Sequence, residues 1–264
     1  MKNLFTFWLR VSKLSSFEYK AIHRTKSFGI FWKFLNPLLF IGVYTFVFST
    51  LYSSGVRGYI ISTGVLIFAG ISTTINSSTT WIQPKLVNFL SPNHKLKILF
   101  ASKIYFNFIP IFYLLPVMII IQRLLYNQDF KFTIQESLII FFNIFFLVLI
   151  TMIYTYFIAI PLSIFSKSLT DLKDLTSHFL RIILYLSPIL WTAKTDIEIV
   201  NVLLQILNPF YFIFDALNYI IYRNYDFSII TLISPVIICV IIYLFFFKNN
   251  IYIDKVKSLV YLDD

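Results

Sequence analysis

Six long apolar stretches dominate the sequence and constrain the fold more than any other feature. They cover residues 34–52, 59–81, 98–121, 138–165, 177–192 and 228–247. Most approach or exceed the ~20 residues that a helix needs to cross a hydrocarbon core of ~30 Å. Only 13% of the residues are charged, compared with roughly 25% in soluble domains. The sequence therefore predicts an all-α integral membrane protein with six transmembrane helices.

The positive charges fall unevenly on the two sides of these stretches. If the N-terminus is cytoplasmic, most Lys and Arg residues lie on the cytoplasmic side. The outer side then holds only Arg57, Arg123, Lys131, Lys194 and Arg223. This bias follows the positive-inside rule and predicts a multi-pass protein of a bacterial cytoplasmic (inner) membrane with both termini in the cytoplasm. Because the basic residues flank apolar segments, the net charge of +10 indicates contact with lipid headgroups rather than with nucleic acid.

Residues 1–264 are predicted to form a single domain, since no linker or repeat divides them. Within it, 1–33 would form an interface helix and a basic arm, 34–247 the six-span bundle and 248–264 a cytoplasmic tail. Over residues 3–22, apolar side chains recur at steps of three and four, which is typical of an amphipathic helix lying in the membrane interface. These side chains are Leu4, Phe7, Trp8, Val11, Leu14 and Phe17.

The second half of the second apolar stretch is unusually polar. Residues 72–80 are nearly all Ser, Thr and Asn, which hydrogen-bond to their own helix or to neighbouring helices. Asn76 is costly against lipid, so this half should face protein or water. Two interpretations stay open, namely packing between helices and the lining of a cavity.

Two shorter apolar segments lie between the fifth and sixth spans. Residues 197–207 and 210–222 are each too short to cross the membrane, and Asn208-Pro209 separates them. No other polar turn is present that would connect two full spans. The pattern predicts short re-entrant or interfacial helices on the outer side.

The sequence contains no motif that would bind a nucleotide or a metal. It has no GxxxxGK[ST] phosphate loop, and His23, His94 and His178 are isolated from one another. Cys239 is the only cysteine, so one chain can form neither a disulfide nor a thiolate metal site. Carboxylates that could relay protons are nearly absent from most spans. We therefore expect no catalytic site and no cofactor on this chain, and its energy would come from another polypeptide.

A series of short motifs begins with Ser27 to Trp32 and continues with Asn36-Pro37 and Val43 to Phe48. These motifs resemble the start of the first span in the type-2 ABC exporter permeases. Leu180 to Trp191, followed by Asn208 to Ile213, resembles the members that translocate teichoic acids, O-antigens and capsular polysaccharides. The resemblance covers essentially the whole chain, and its order agrees with the topology read from charge.

The sequence departs from this family at two positions. The family often has an Arg-Asp pair after the fourth span, where this chain has Thr170 and Asp171. Many relatives have Phe-Pro in the cytoplasmic connector, where this chain has Ser91-Pro92. The second departure bears directly on how the connector would fit an ATPase.

The resemblance implies a homodimer of this chain with two copies of a separate ATPase subunit, which would bind ATP and Mg²⁺. It implies export of a polymer, teichoic acid or polysaccharide, carried on polyprenyl pyrophosphate. Spans 1 and 5 would line the lateral gate and the path. The connector 83–97 would be the coupling helix, with ATPase contacts from Pro84, Lys85, Pro92, His94, Lys95 and Lys97.

Candidate substrate-path residues lie near the two headgroup levels. A lipid-linked sugar needs a positive site for its pyrophosphate, and Arg24, Lys26 and Lys33 lie where the inner headgroups would be. Arg181 lies within the fifth span, where a guanidinium either binds the substrate or snorkels to the interface. Aromatic side chains stack on sugars, although they also form interfacial belts. The aromatic candidates are Trp32, Trp191, Tyr211 and Tyr219.

Two alternative functions stay open. In the same fold, the chain could export a drug or a small lipid. In another class, it could be a membrane-embedded enzyme acting on polyprenyl-linked substrates. Such an enzyme would need a catalytic cluster, and the only candidate is Asp171, Asp174 and His178, which share one helix face.

Overall fold

A computed structural model describes most of the chain. The described residues are 2–23, 29–52, 55–81, 96–125, 134–166, 169, 171–189, 198–222 and 232–244. Over these ranges the chain forms helices and turns, with no strand among them. The all-α prediction is therefore confirmed for the described part.

Nine α-helices follow one another along the described ranges, with a short 3₁₀ helix, Gly29–Phe31, between the first two. Gly29 has a φ of 47°, a conformation that glycine adopts without the steric cost other residues incur. The helices are α1 Lys2–His23, α2 Trp32–Tyr52, α3 Gly55–Ser78, α4 Leu96–Leu125, α5 Ile134–Phe165, α6 Leu172–Leu186, α7 Glu198–Leu207, α8 Tyr211–Tyr222 and α9 Ile233–Ile242.

Three helices in the described ranges are long and apolar enough to cross a membrane. They contain the segments Arg57–Ser78, Ile98–Met118 and Gln135–Phe165. A fourth span is possible if α7 and α8, which meet at a bend of 112°, cross together. These helices fit a multi-pass membrane protein and match three of the six predicted spans.

The full six-span arrangement is not confirmed. The fifth span was predicted over 177–192, whereas α6 begins earlier, at Leu172, and has 15 residues. Such a helix is only about 22 Å long, less than the hydrocarbon thickness of ~30 Å. In α9 the described helix has 10 residues. Residues 190–192, 228–231 and 245–247, the remaining parts of these two predicted spans, lie outside the described ranges.

Helix α3 is the centre of the bundle and packs against α2, α4, α5, α6 and α8. Within its apolar window, 83% of the residues are buried. Small residues make this close packing possible. A Cβ at Gly64 would lie 2.9 Å from Cγ2 of Ile189, and a Cβ at Gly70 would clash with Cδ1 of Ile111. The two glycines therefore let Ile189, in the turn that follows α6, and Ile111 of α4 approach the α3 backbone.

The predicted N-terminal helix is confirmed as α1, which packs on α4. Val11 is fully buried in this contact, whereas Trp8 and Phe17 are exposed beside exposed basic residues. The apolar residues of α1 are thus divided between a contact with α4 and an exposed surface. An exposed surface that is aromatic and basic fits the predicted location in the membrane interface.

A hydrogen-bonded turn at Asn208 separates α7 from α8. Asn208 is 1% exposed, and its Oδ1 accepts a hydrogen bond of 3.0 Å from the Phe210 backbone N–H. Its Nδ2 donates to Ser187 Oγ at 2.9 Å. The predicted pair of short helices flanking Asn208-Pro209 is confirmed, and their re-entrant or interfacial placement stays a prediction.

Candidate functional site

A cavity of about 940 Å³ lies between α2, α3, α4 and α6. Its walls come from α2 on one side, from α6 on another, and from α3 and α4 between them. This volume is at the upper end of the range for small-molecule sites. It is large enough to hold a small-molecule ligand.

The α2 side of the cavity is largely aromatic. Trp32, Phe40 and Tyr44 line it along α2, and Tyr185 lines it from α6. Among the described lining residues there are also aliphatic side chains, including Leu180 and Leu184. Such surfaces suit a hydrocarbon chain or the face of a sugar ring.

Neutral polar side chains from three helices also line the cavity, and we call them its polar wall: Ser72, Thr73 and Asn76 on α3, Asn107 on α4 and Ser177 on α6. Asn36 adds a polar group on α2, and apolar residues of α3 and α4 line the rest. Asn76 Oδ1 accepts hydrogen bonds from Ser177 Oγ at 3.2 Å and from Thr176 Oγ1 at 3.4 Å. Asn107 Nδ2 donates to Ser77 Oγ at 3.0 Å. These bonds tie the end of α3 to α4 and to the start of α6.

The two interpretations of residues 72–80 therefore both apply. Ser72, Thr73 and Asn76 line the cavity, whereas Thr74 and Ser78 are fully buried against the rest of the bundle. The segment follows one helix, so successive side chains point in different directions. One face packs and another lines the cavity.

Arg181 contributes the only charged side chain among the described residues that line the cavity. It is exposed and lies one helical turn after Ser177 on α6. Over the described ranges, no residue forms a hydrogen bond or an ion pair with its guanidinium. The group is thus accessible to an anion, which a guanidinium can bind through two parallel hydrogen bonds.

Only some of the residues predicted to lie on the substrate path line the cavity. Trp32 and Arg181 both line the cavity. Tyr211 does not, because α8 packs against α3 and α5 and leaves Tyr211 only 1% exposed. Tyr219 is 51% exposed on α8, also away from the cavity. The structure therefore does not bring these two tyrosines to the site.

The remaining predicted residues are not assigned a position. Arg24, Lys26 and Trp191 lie outside the described ranges, and the side chain of Lys33 on α2 is not described. Most of the predicted coupling residues also lie outside the described ranges: Pro84, Lys85, Pro92, His94 and Lys95. Lys97 belongs to the first turn of α4, but its side chain is not described.

Sequence reasoning missed two features of this region. Asn107 was not singled out, although an amide inside an apolar span is itself a signal, because buried polar groups need partners.

Arg57 was predicted in an outer segment, but it is only 4% exposed at the start of α3. Its Nη2 donates a hydrogen bond of 3.2 Å to the Ile189 carbonyl. Asn218 on α8 similarly donates to the Pro188 carbonyl at 3.2 Å. The chain that follows α6 is thus held from both α3 and α8.

The alternative catalytic residues cluster at the start of α6. Asp171, Asp174 and His178 are all exposed. In the described part of the chain, no group of three His, Cys, Asp or Glu side chains is arranged to hold a metal ion. None of these three residues lines the cavity.

The sequence matches no protein-family model, and no curated protein matches it significantly.

Proposed function

We propose that this chain is the transmembrane subunit of an ABC exporter for a polyprenyl-pyrophosphate-linked cell-surface polymer, teichoic acid or polysaccharide. Two chains and two copies of a separate ATPase would form the transporter in the bacterial cytoplasmic membrane. The observation that carries the proposal is the cavity in which Arg181 meets aromatic and neutral polar walls.

The chemistry of the cavity suits this substrate class. A polyprenyl chain needs apolar surface, which α2 and α6 supply. A pyrophosphate needs a cation, and Arg181 supplies one without a competing carboxylate among the described lining residues. Sugar hydroxyls need neutral hydrogen-bonding groups, which α3, α4 and α6 supply. The cavity also lies between the helices that the resemblance implies for the gate, span 1 and span 5, which correspond to α2 and α6.

A drug exporter of the same fold is the second candidate. A cavity whose described lining includes a cation and lacks carboxylates disfavours cationic drugs, because it offers no opposite charge to balance them. An anionic lipid of smaller size would fit the same groups. Identification of the lipids that copurify with the complex separates these substrates.

The test replaces Arg181 and follows both assembly and export. Arg181→Gln should leave the complex with the ATPase at normal abundance and lower polymer export about 10- to 100-fold, as expected when a hydrogen bond to a charged group is lost. Arg181→Lys should retain part of the activity, since it keeps the charge but loses the bidentate geometry.

Lys173→Gln is the matched control, because Lys173 is an exposed cation on the same helix that does not line the cavity. It should export normally. If Arg181→Gln also exports normally, Arg181 only snorkels to the interface. If Arg181→Gln loses the complex, its role is structural.

A further inference from the structure

We propose that the polar wall of the cavity is a separate subsite that binds the sugar attached to the substrate's phosphate. The subsite consists of Asn76, Asn107 and Ser177, and it would bind a hydroxylated or acetamido sugar ring. The inference rests on the proposed function, because it assumes a lipid-linked phosphate at Arg181. It goes further in stating that this chain distinguishes the sugar-bearing carrier from the bare one.

Two amides of the polar wall, Asn107 and Asn76, have unused hydrogen-bonding capacity. Asn107 donates from Nδ2 to Ser77, but its Oδ1 accepts no hydrogen bond from any described residue. Asn76 Nδ2 carries two N–H groups, and its one partner in the described part is Ser72 Oγ at 3.5 Å, the limit of a hydrogen bond. The wall thus offers at least one acceptor and one donor to a ligand in the cavity. Sugar hydroxyls, which both donate and accept, match this pair.

The hydrogen bonds within the polar wall can be exchanged for bonds to a ligand at low cost. The single proton of Ser177 Oγ is shared between Asn76 Oδ1 at 3.2 Å and the Lys173 carbonyl at 3.0 Å. Thr176 has the same choice, since its Oγ1 lies 2.9 Å from the Lys173 carbonyl. Each hydroxyl can therefore turn fully to its own helix when a ligand donates to Asn76. No buried group is then left without a partner.

The subsite lies close to Arg181, towards the predicted cytoplasmic end of α6. Ser177 precedes Arg181 by four residues on α6, which is one turn or about 6 Å. Asn76 lies near the end of α3 and contacts the start of α6, which the charge pattern predicts to be their cytoplasmic ends. A phosphate at Arg181 would therefore have its sugar on the cytoplasmic side, at the polar wall. This is the side on which the polymer would lie before export.

The test is competitive binding to the full-length chain in phosphatidylcholine nanodiscs, read by native mass spectrometry. The two ligands are polyprenyl pyrophosphate and the same lipid bearing one N-acetylhexosamine. The wild-type chain should prefer the sugar-bearing lipid by about 10-fold, the discrimination that one or two neutral hydrogen bonds give. Asn107→Leu, which removes the free acceptor, and Asn76→Ala, which removes the free donor, should each reduce this ratio towards one, while the bare lipid binds as in the wild type.

Thr73→Val is the matched control. Thr73 lines the same wall, but its hydroxyl is already bonded to the Ala69 and Gly70 carbonyls of its own helix, at 2.7 and 3.1 Å. It should keep the full preference. Equal binding of the two lipids by the wild-type chain would overturn the subsite without affecting the proposed function. This comparison needs no variant to fold.

Two further outcomes separate the sources of the phosphate. If neither polyprenyl lipid binds, the proposed function fails and the subsite fails with it. If phosphatidylglycerol added to the nanodiscs displaces both lipids, the cavity is a phospholipid site and the inference is wrong. Retention of the sugar preference by Asn107→Leu and Asn76→Ala would also contradict it.

Discussion

At the residue scale, polar side chains placed among apolar ones hold the helices together around the cavity. Asn76, Asn107 and Arg57 each lie in a helix where a hydrocarbon side chain would satisfy the hydropathy pattern. Asn76 and Asn107 each hydrogen-bond to a neighbouring helix, and Arg57 hydrogen-bonds to the chain that follows α6. Such bonds are favourable in a membrane because the alternative partner, water, is scarce there. They fix how α3, α4 and α6 pack around the cavity.

The glycines of α3 give a prediction at the same scale. Gly70→Ala should destabilise the bundle by about 1–3 kcal/mol, because the new methyl group overlaps Cδ1 of the buried Ile111 and forces this side chain out of its rotamer. Thermal unfolding in detergent measures the effect. Gly42→Ala is the matched control, since nothing lies within 4 Å of a Cβ there. It should be neutral or slightly stabilising. Equal melting temperatures for the two variants would contradict the packing at Gly70.

At the element scale, the sequence predicted some helices well and others poorly, for physical reasons. The three long apolar helices are recovered because a span shows itself directly in hydropathy. The break at Asn208-Pro209 is recovered because proline cannot continue a helical hydrogen-bond pattern. By contrast, α6 begins earlier than predicted. Its first residues are charged and extend the helix beyond the apolar run.

The candidate site was predicted only in part. Arg181 stands out because a charge within a span is rare. Trp32 and Tyr211 both look suitable in the sequence, yet only Trp32 lines the cavity. Which aromatic residue faces a cavity depends on how the helices are rotated and packed, and a uniformly apolar helix carries no periodicity that would fix this rotation.

The bent pair α7 and α8 gives a topological prediction. If the pair is re-entrant, both ends lie on the outer side. Cysteines placed at Thr195 and Arg223, in a chain without Cys239, should then both react with an impermeant thiol reagent added from outside. Cysteines at Lys2 and Lys257, two positions that the charge pattern predicts to be cytoplasmic, provide the unreactive control. Reaction at only one of the two flanking sites would show that the pair crosses the membrane.

At the scale of the whole molecule, the described helices form a bundle around α3, with a cavity on the side bounded by α2 and α6. The proposed function assigns ATP hydrolysis to a separate subunit, and the sequence contains no phosphate loop of its own. A transporter of this kind needs a contact that transmits movement from the ATPase to the helices. The connector 83–97 is the longest of the segments predicted to be cytoplasmic between spans and is rich in proline and lysine.

Charge reversal in the connector tests this contact. Replacing Lys85, Lys95 and Lys97 together by Glu should lower ATPase recovery in a pull-down, or abolish export while the ATPase still binds. Insertion of the chain into the membrane should be unaffected. The matched control reverses Arg10, Lys13 and Lys20, three exposed cations on α1, and should not disturb ATPase binding. Normal pull-down and normal export in the connector variant would remove the assignment.

The most direct test of the central claim is to identify the lipids that copurify with the complex of this chain and its ATPase. Mass spectrometry of the wild-type complex should detect a polyprenyl-pyrophosphate-linked saccharide, and the Arg181→Gln complex should contain much less of it at the same protein yield. A smaller anionic lipid in place of that saccharide would redirect the assignment to a small-lipid exporter. Ordinary phospholipids alone, in equal amounts in both complexes, would contradict the account.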